Sequence, residues 1–317
     1  MPITQLDDSR ILVELDAHGA ANSVVVHRTG ATVVSWRSAG KERLFLSKTA
    51  VLDGSKAIRG GIPLVFPQFG KASDPNHPYA SFPQHGFART VRWWPDEPIQ
   101  DDAEAVQVQL HITEHDLNDD QRRLFPYAFR LSYVVRLARD AQQDGHSQLT
   151  TELVVWNGEK SLNDGGHAFD YQALLHTYFR VPDVANARVV GLAGQSYVDK
   201  VAVHEGGMST RVESAASLQI TGETDRVYQD VGLGHALQLH TGDATRVDVQ
   251  REGGADVVVW NPGEDKAAAM ADLHPAAQHE FLCVEVGHVR DYRSLPPGQT
   301  EKLAQTLTIR PDTDQKL

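Results

Sequence analysis

The sequence predicts an all-β protein, a large antiparallel β-sandwich with few short helices. Short runs rich in Val, Leu, Thr and Tyr alternate apolar with polar residues, the period of a half-buried strand. Gly, Asn and Asp turn signals recur roughly every 8–12 residues, the spacing of a sandwich or barrel. Helix-forming composition is concentrated in EDKAAAMADLH (from Glu264), about three turns of it. No linker, low-complexity tract or internal repeat interrupts the series, so 1–317 reads as a single domain with many strands in two stacked sheets.

The elements follow in order. ILVELD, NSVVVHRTG, ATVVSWRSAG and ERLFLS form an N-terminal meander. AVQVQLHIT, FRLSYVVRLA, QLTTELVVWN and ALLHTYFRV continue the strands from Ala105. The acid-rich EHDLNDDQRRLFPY between them is a connecting loop with one helical turn. After Val181 come ARVVGL, SYVDKVAV, ASLQITG, DRVYQDV, ALQLHTG, TRVDVQRE and ADVVVWN, with EFLCVEVGHV and KLAQTLTIR last.

The exception is Ile58–Trp94, which is dense in Pro and Gly and therefore poor in helix and in interior strand pairing. Its aromatic residues (Phe66, Phe69, Tyr79, Phe82, Phe87, Trp93, Trp94) have apolar area to bury, which argues for an ordered loop. Long ordered loops in compact chains carry function more often than not. A structural crossover between sheets is the competing reading.

A net charge of −12 argues against an extended nucleic-acid or anionic-membrane surface, while leaving room for a small anion held by local arginines. One cysteine, Cys283, permits neither an intramolecular disulfide nor a thiolate zinc cluster. The N-terminus lacks the basic and apolar regions of a signal peptide, and no apolar run has the length of a membrane span. A cytoplasmic protein is the expectation.

Two strands carry candidate chemistry. In LLHTYFRV, period two places Leu175, Thr177, Phe179 and Val181 on a core face, with Leu174, His176, Tyr178 and Arg180 opposite. In FLCVEVGHV, Phe281, Cys283 and Glu285 share one face and Leu282, Val284 and Val286 the other. A glutamate in so apolar a strand costs several kcal/mol unless hydrogen-bonded or open to solvent. It is either half of a buried salt bridge or a carboxylate tuned for proton transfer. Asp225 reads as a turn cap before a strand. VGLGHA (from Val231) lacks the third glycine and the helix of a dinucleotide site. His85, His176 and Glu285 have the composition of a facial iron triad, with no support from their spacing.

RGGIPLVFPQFG (from Arg59), FPQHGFAR (from Phe82), LHTYFRV (from Leu175), VVVWNPG (from Val257) and CVEVGHV (from Cys283) together resemble the glucose-6-phosphate 1-epimerases, a branch of the aldose 1-epimerase superfamily. The resemblance implies a galactose mutarotase-like β-supersandwich with an open cleft. It also implies interconversion of hexose 6-phosphate anomers, glucose 6-phosphate foremost, without metal or organic cofactor. The family's catalytic histidine falls on His176 and its glutamate on Glu285, and its substrate contacts on Arg59, Gln84, His85, Arg89 and Asp225. The implied partner is a small sugar phosphate, with neither nucleic acid nor membrane, for a monomer or weak homodimer. Val286 departs from the proline or threonine that often follows the glutamate in relatives.

Anomer exchange needs the C1 hydroxyl to lose a proton while the ring oxygen gains one. A carboxylate and an imidazolium on opposite sides of the sugar satisfy that, with Glu285 as base, His176 as acid and the roles reversing on closure. His85 is expected to bond the ring oxygen or a neighbouring hydroxyl and Asp225 other hydroxyls, while Arg59 and Arg89 grip the phosphate. A non-catalytic carbohydrate-binding sandwich is the alternative from another class.

Overall fold

A computed structural model describes residues 3–15, 21–72, 74–97, 100–102, 104–159, 165–202 and 209–313. No helix among them is long and apolar enough to cross a membrane. The strands are antiparallel, in sheets of five, ten and eight. The sequence led us to expect two. Among the described residues, the N-terminal meander (Ile3–Asp7, Arg10–Glu14, Ser23–His27, Thr32–Ser38, Lys41–Glu42) forms its ladders within itself and makes the third sheet, with the bridge Val33↔Ile62 tying it to the long loop. Alternation tells which face of a strand is buried and nothing about which sheet the strand joins.

The ten-stranded sheet is built around Ala105–Thr113, Phe129–Arg139, Ser147–Asn157, Thr300–Pro311 and Thr245–Glu252. The eight-stranded sheet runs Ser209–Val212, Ser196–Asp199, Thr224–Tyr228, Asp256–Asn261, Phe281–Leu295, Phe169–Leu175 and Leu64–Val65, with Tyr178–Arg180 also on Phe281–Leu295. Its inward face supplies Leu175, Phe179, Leu282, Val284 and Val286 to one cluster with Leu131, Tyr133, Leu153, Leu303 and Leu307 of the ten-stranded sheet. Fully burying each such side chain contributes about 1.5–3 kcal/mol. Thr177, on the same face, bonds Gln305 across the two sheets at 2.8 Å.

The opposite face is apolar too. Leu174, Tyr178, Phe281 and Cys283 form a second cluster with Phe45, Trp260, Ala267, Leu273 and Ala277. The alternation in both site strands is therefore as the sequence indicated. Phe281–Val289 is buried on both sides, which explains its near-continuous apolar run.

Three local expectations change. EDKAAAMADLH is helical only over Gly263–Ala268, with no side-chain cap at Pro262. Beyond it the chain tightens into turns (Met270 N–H to Ala267 O, Leu273 N–H to Met270 O) that carry Leu273 into the second cluster and Asp272 to Arg59. Alanine favours the helix, but this anchoring ends it. The acidic insert holds more helix than one turn: a 3₁₀ segment Glu114–Asp116 and an α-helix Asp119–Leu124, each with a capping box. ERLFLS pairs as a strand only at Lys41–Glu42, followed by isolated bridges from Leu44 and Leu46. SYVDKVAV is a strand over Ser196–Asp199, and its last residue, Val203, lies outside the described residues.

Candidate active site

Glu285 lies in the doubly buried half of Phe281–Leu295, opposite Val258 of the neighbouring strand. On its other side, the pairs Leu175↔Val286 and Tyr178↔Cys283 leave His176 and Thr177 facing Glu285 and Val284. The register is continuous across this interval, yet the strand breaks there: the Thr177 N–H turns back to the Leu175 carbonyl at 3.0 Å, while the His176 N–H extends the ladder with Leu64–Val65 to the Pro63 carbonyl at 3.0 Å. His176 Nδ1 and Glu285 Oε1 are 3.3 Å apart, with the side chains 9% and 1% exposed. Neither Nδ1 nor Glu285 Oε2 has a hydrogen-bond partner. Leaving a buried polar group unsatisfied costs about 1–3 kcal/mol.

The expectation of a sugar-sized gap between these two groups is therefore corrected. They are cross-strand neighbours 3.3 Å apart, which leaves no room for a sugar between them. Face assignment from alternation was right, but it does not reveal which strands pair.

Packing fixes the imidazole. It stacks on Tyr178 at a centroid distance of 4.9 Å and 11°, and meets Trp260 and His85 edge-on at 5.8 and 5.7 Å. Burial first, then the charges of Arg89 and Arg59, hold its basicity well below the ordinary value. Burial, then the Asp225 charge, push the Glu285 carboxyl well above its ordinary range, against the pull of Lys200 and Arg89. Each group is biased toward its neutral form.

The long loop supplies the remaining side chains. Gly60 and Gly61, both at positive φ, let the chain after Arg59 lie against Phe45 and Val33, where a Cβ would collide with their carbonyl oxygens. Arg59 donates to Asp272 Oδ2 at 3.2 Å and to Tyr178 OH at 2.9 Å. Burial pulls its guanidinium down, but Tyr178 and Asp272 outweigh it and the net shift is upward. Arg89 donates to the Gln84 carbonyl at 2.7 Å and has no carboxylate partner among the described residues. Its surroundings pull it down to about 10, mainly by burial.

His85 adopts a left-handed backbone (φ 69°), uncommon for a residue with a side chain. Its Nδ1 accepts from Gly70 N–H at 3.1 Å, and its Nε2 lies 3.3 Å from the Gln84 amide. Burial, then Arg89, His176, Lys200 and Arg59, keep this imidazole neutral.

One cleft of about 280 Å³ gathers Arg59, Gln84, His85, Arg89, His176, Asp225 and Glu285. Asp225 is not a turn cap: it sits within Thr224–Tyr228 opposite Trp260. Burial raises its carboxyl, with Lys200 opposing. Lys200 and Lys266 also line the cleft and were not anticipated. Lys200 rests 4.7 Å over the Phe69 ring, and Lys266 pairs with Glu223 at 2.8 Å. Lysines at the end of a short strand and on a short helix carry no distinguishing pattern in the sequence. Among the described residues, the potential metal ligands that cluster are His176, Cys283 and Glu285, within 4.8 Å of one another. His85 is not among them, and Gly70 N–H and the Gln84 amide engage its ring nitrogens. The adjacent guanidiniums of Arg59 and Arg89 favour an anion over a cation here.

The pattern of the aldose 1-epimerase family matches residues 12–308, and the chain belongs to that family. Among its relatives, a provisionally named glucose-6-phosphate 1-epimerase from Cenchrus ciliaris is 34% identical over 290 residues, covering 89% of this chain and 80% of the relative. One of the same provisional name from Escherichia coli K12 is 28% identical, covering 88% and 84%. The crystal structure of a provisionally named mutarotase from Salmonella typhimurium superposes with a TM-score of 0.79 at 26% identity, covering 98% of this chain and 93% of that one. Galactose 1-epimerase from Lactobacillus acidophilus shares the fold, with a TM-score of 0.67 at 15% identity and coverage of 98% and 97%. The β-supersandwich expected from the sequence is the fold found.

Proposed function

We propose that the cleft interconverts the α and β anomers of a hexose 6-phosphate, glucose 6-phosphate foremost, by acid–base ring opening and closure. The observation that carries this reading is the adjacent buried pair, Glu285 and His176, with Oε2 and Nδ1 unpartnered in a cleft that also presents Arg89 without a carboxylate. The C1 hydroxyl and the ring oxygen are bonded to the same carbon, so the groups serving them must stand side by side. The close spacing of the pair suits that geometry.

In this scheme Glu285 takes the C1 hydroxyl proton and His176 protonates the ring oxygen. The C1–O5 bond breaks, the aldehyde turns about C1–C2, and closure on the other face reverses the roles. Each positioned proton transfer contributes about 10²–10⁴-fold. Asp225, Gln84 and His85 hold sugar hydroxyls. Arg89, assisted by Arg59, grips the phosphate through charge-assisted bonds.

A purely sugar-binding surface has no use for an unpartnered acid and imidazole buried at an energetic cost. Polarimetry on freshly dissolved α-glucose 6-phosphate, with free glucose in parallel, tests the substrate class. Replacing both arginines (Arg59→Ala with Arg89→Ala) should raise KM for the phosphorylated sugar at least ~10-fold more than for glucose, the size of one or two lost charge-assisted bonds. An equal rise for both sugars removes the phosphate from the assignment.

A further inference from the structure

We infer that the substrate's phosphate switches on the acid–base pair as well as anchoring the sugar: an anion seated on Arg59 and Arg89 acts through their charge and through Tyr178 to move one proton from Glu285 to His176. The inference rests on the hexose-phosphate reading above. It addresses a conflict within the pair. The proposed roles require a carboxylate and an imidazolium, whereas burial favours a neutral acid beside a neutral imidazole.

The groups around the pair decide which way an anion tips it. His176 is faced by Glu285 and Cys283 from Phe281–Leu295, by Tyr178 from its own segment, by Trp260 from the adjoining strand, and by Arg59, His85 and Arg89 from the long loop. Arg89 and Arg59 are the charges that oppose protonation of the imidazole. Glu285 is governed instead by burial and Asp225, with Lys200 and Arg89 opposing. Arg89 acts on both members of the pair, whereas Arg59 reaches the imidazole side through its bond to the Tyr178 hydroxyl and the Tyr178–His176 stack, so an anion on the two guanidiniums favours the proton on His176. The proton leaves a Glu285 oxygen and arrives at His176 Nδ1, across a 3.3 Å approach, with no change in the charge of the pair.

A mechanical link runs alongside. Arg59 bonds the Tyr178 hydroxyl at 2.9 Å, and the Tyr178 ring stacks on His176. An anion that draws Arg59 therefore acts on the surface against which the imidazole is set. Tyr178 is a positioning residue. Glucose lacks the phosphate and meets the pair in its resting protonation state, so the phosphate acts on kcat as well as KM.

Phosphite dianion supplied separately from the sugar tests this. Fresh α-glucose is followed by polarimetry with protein and increasing phosphite, and the enzyme-free phosphite rate is subtracted because the anion is itself a weak base catalyst. We expect kcat/KM for glucose to rise ~10-fold or more, the rise to vanish in Arg89→Ala, and the ratio of kcat for glucose 6-phosphate to kcat for glucose to fall several-fold in Tyr178→Phe. Phosphite that only inhibits, or has no effect, while wild-type protein turns over glucose 6-phosphate overturns the inference. Absence of turnover with glucose 6-phosphate itself overturns the functional reading beneath it.

Discussion

Glu285 occupies the position where a charged carboxylate is least stable, on a strand buried from both faces, with one oxygen unpartnered. Its folded-state acidity is weakened by burial and by Asp225. Stability from such a group is complete below the ordinary glutamate value of 4.5 and is lost as pH climbs toward the raised one. Glu285→Gln keeps the shape and removes the ionisation. It should raise Tm by a few degrees near pH 8 and change it little near pH 4, as read by calorimetry. A uniform shift at both pH values would show that burial does not set this group's acidity. The identity of the residue was legible in the sequence because a glutamate between Val284 and Val286 breaks an apolar run. Its partner, His176, was named through the family resemblance, but their direct adjacency was not legible, because it arises only through strand register.

At the scale of elements, the loop from Ile58 to Trp94 holds four of the seven candidate side chains, and glycines set its course. Gly61 has φ +69°, and a Cβ there would collide with the Val33 carbonyl oxygen. Gly61→Ala combines left-handed strain with that clash and should destabilise by at least ~1–3 kcal/mol in urea unfolding. The same substitution at Gly145, also at positive φ but with nothing within 4 Å, should cost less. Equal costs would mean that the close backbone approach is unimportant. Pro and Gly density marked this loop in the sequence, whereas the sheet-edge bridges that anchor it, Val33↔Ile62 and Leu46↔Gly60, are long-range and leave no local pattern. The shortened helix at Gly263–Ala268 shows the same limit from the other side: local propensity overruled by the placement of Asp272 and Leu273.

For the whole molecule, alternation and turn spacing were sufficient to reveal the all-β class and which residues share a face in the two site strands, whereas the burial of that sheet on both sides emerged only from the fold. They left the separate N-terminal sheet unseen, since pairing partners are a property of topology. The net charge of −12 opposes approach of an anionic sugar, while Arg59, Arg89, Lys200 and Lys266 concentrate positive charge in one cleft. From about 0.01 M to 0.15 M ionic strength the screening length falls from about 30 to 8 Å. If the local cluster governs capture, kcat/KM for glucose 6-phosphate falls several-fold over that range while the value for glucose stays level. A rise with salt would show that the overall negative field dominates.

Nuclear magnetic resonance exchange spectroscopy on an equilibrium mixture of glucose 6-phosphate anomers reads the central claim most directly. With wild-type protein the α and β resonances should exchange well above the spontaneous rate. With Glu285→Gln that exchange should drop by ~10²–10⁴-fold, although the sugar phosphate still binds. Exchange at the wild-type rate in Glu285→Gln would contradict the assignment of ring opening to the Glu285–His176 pair.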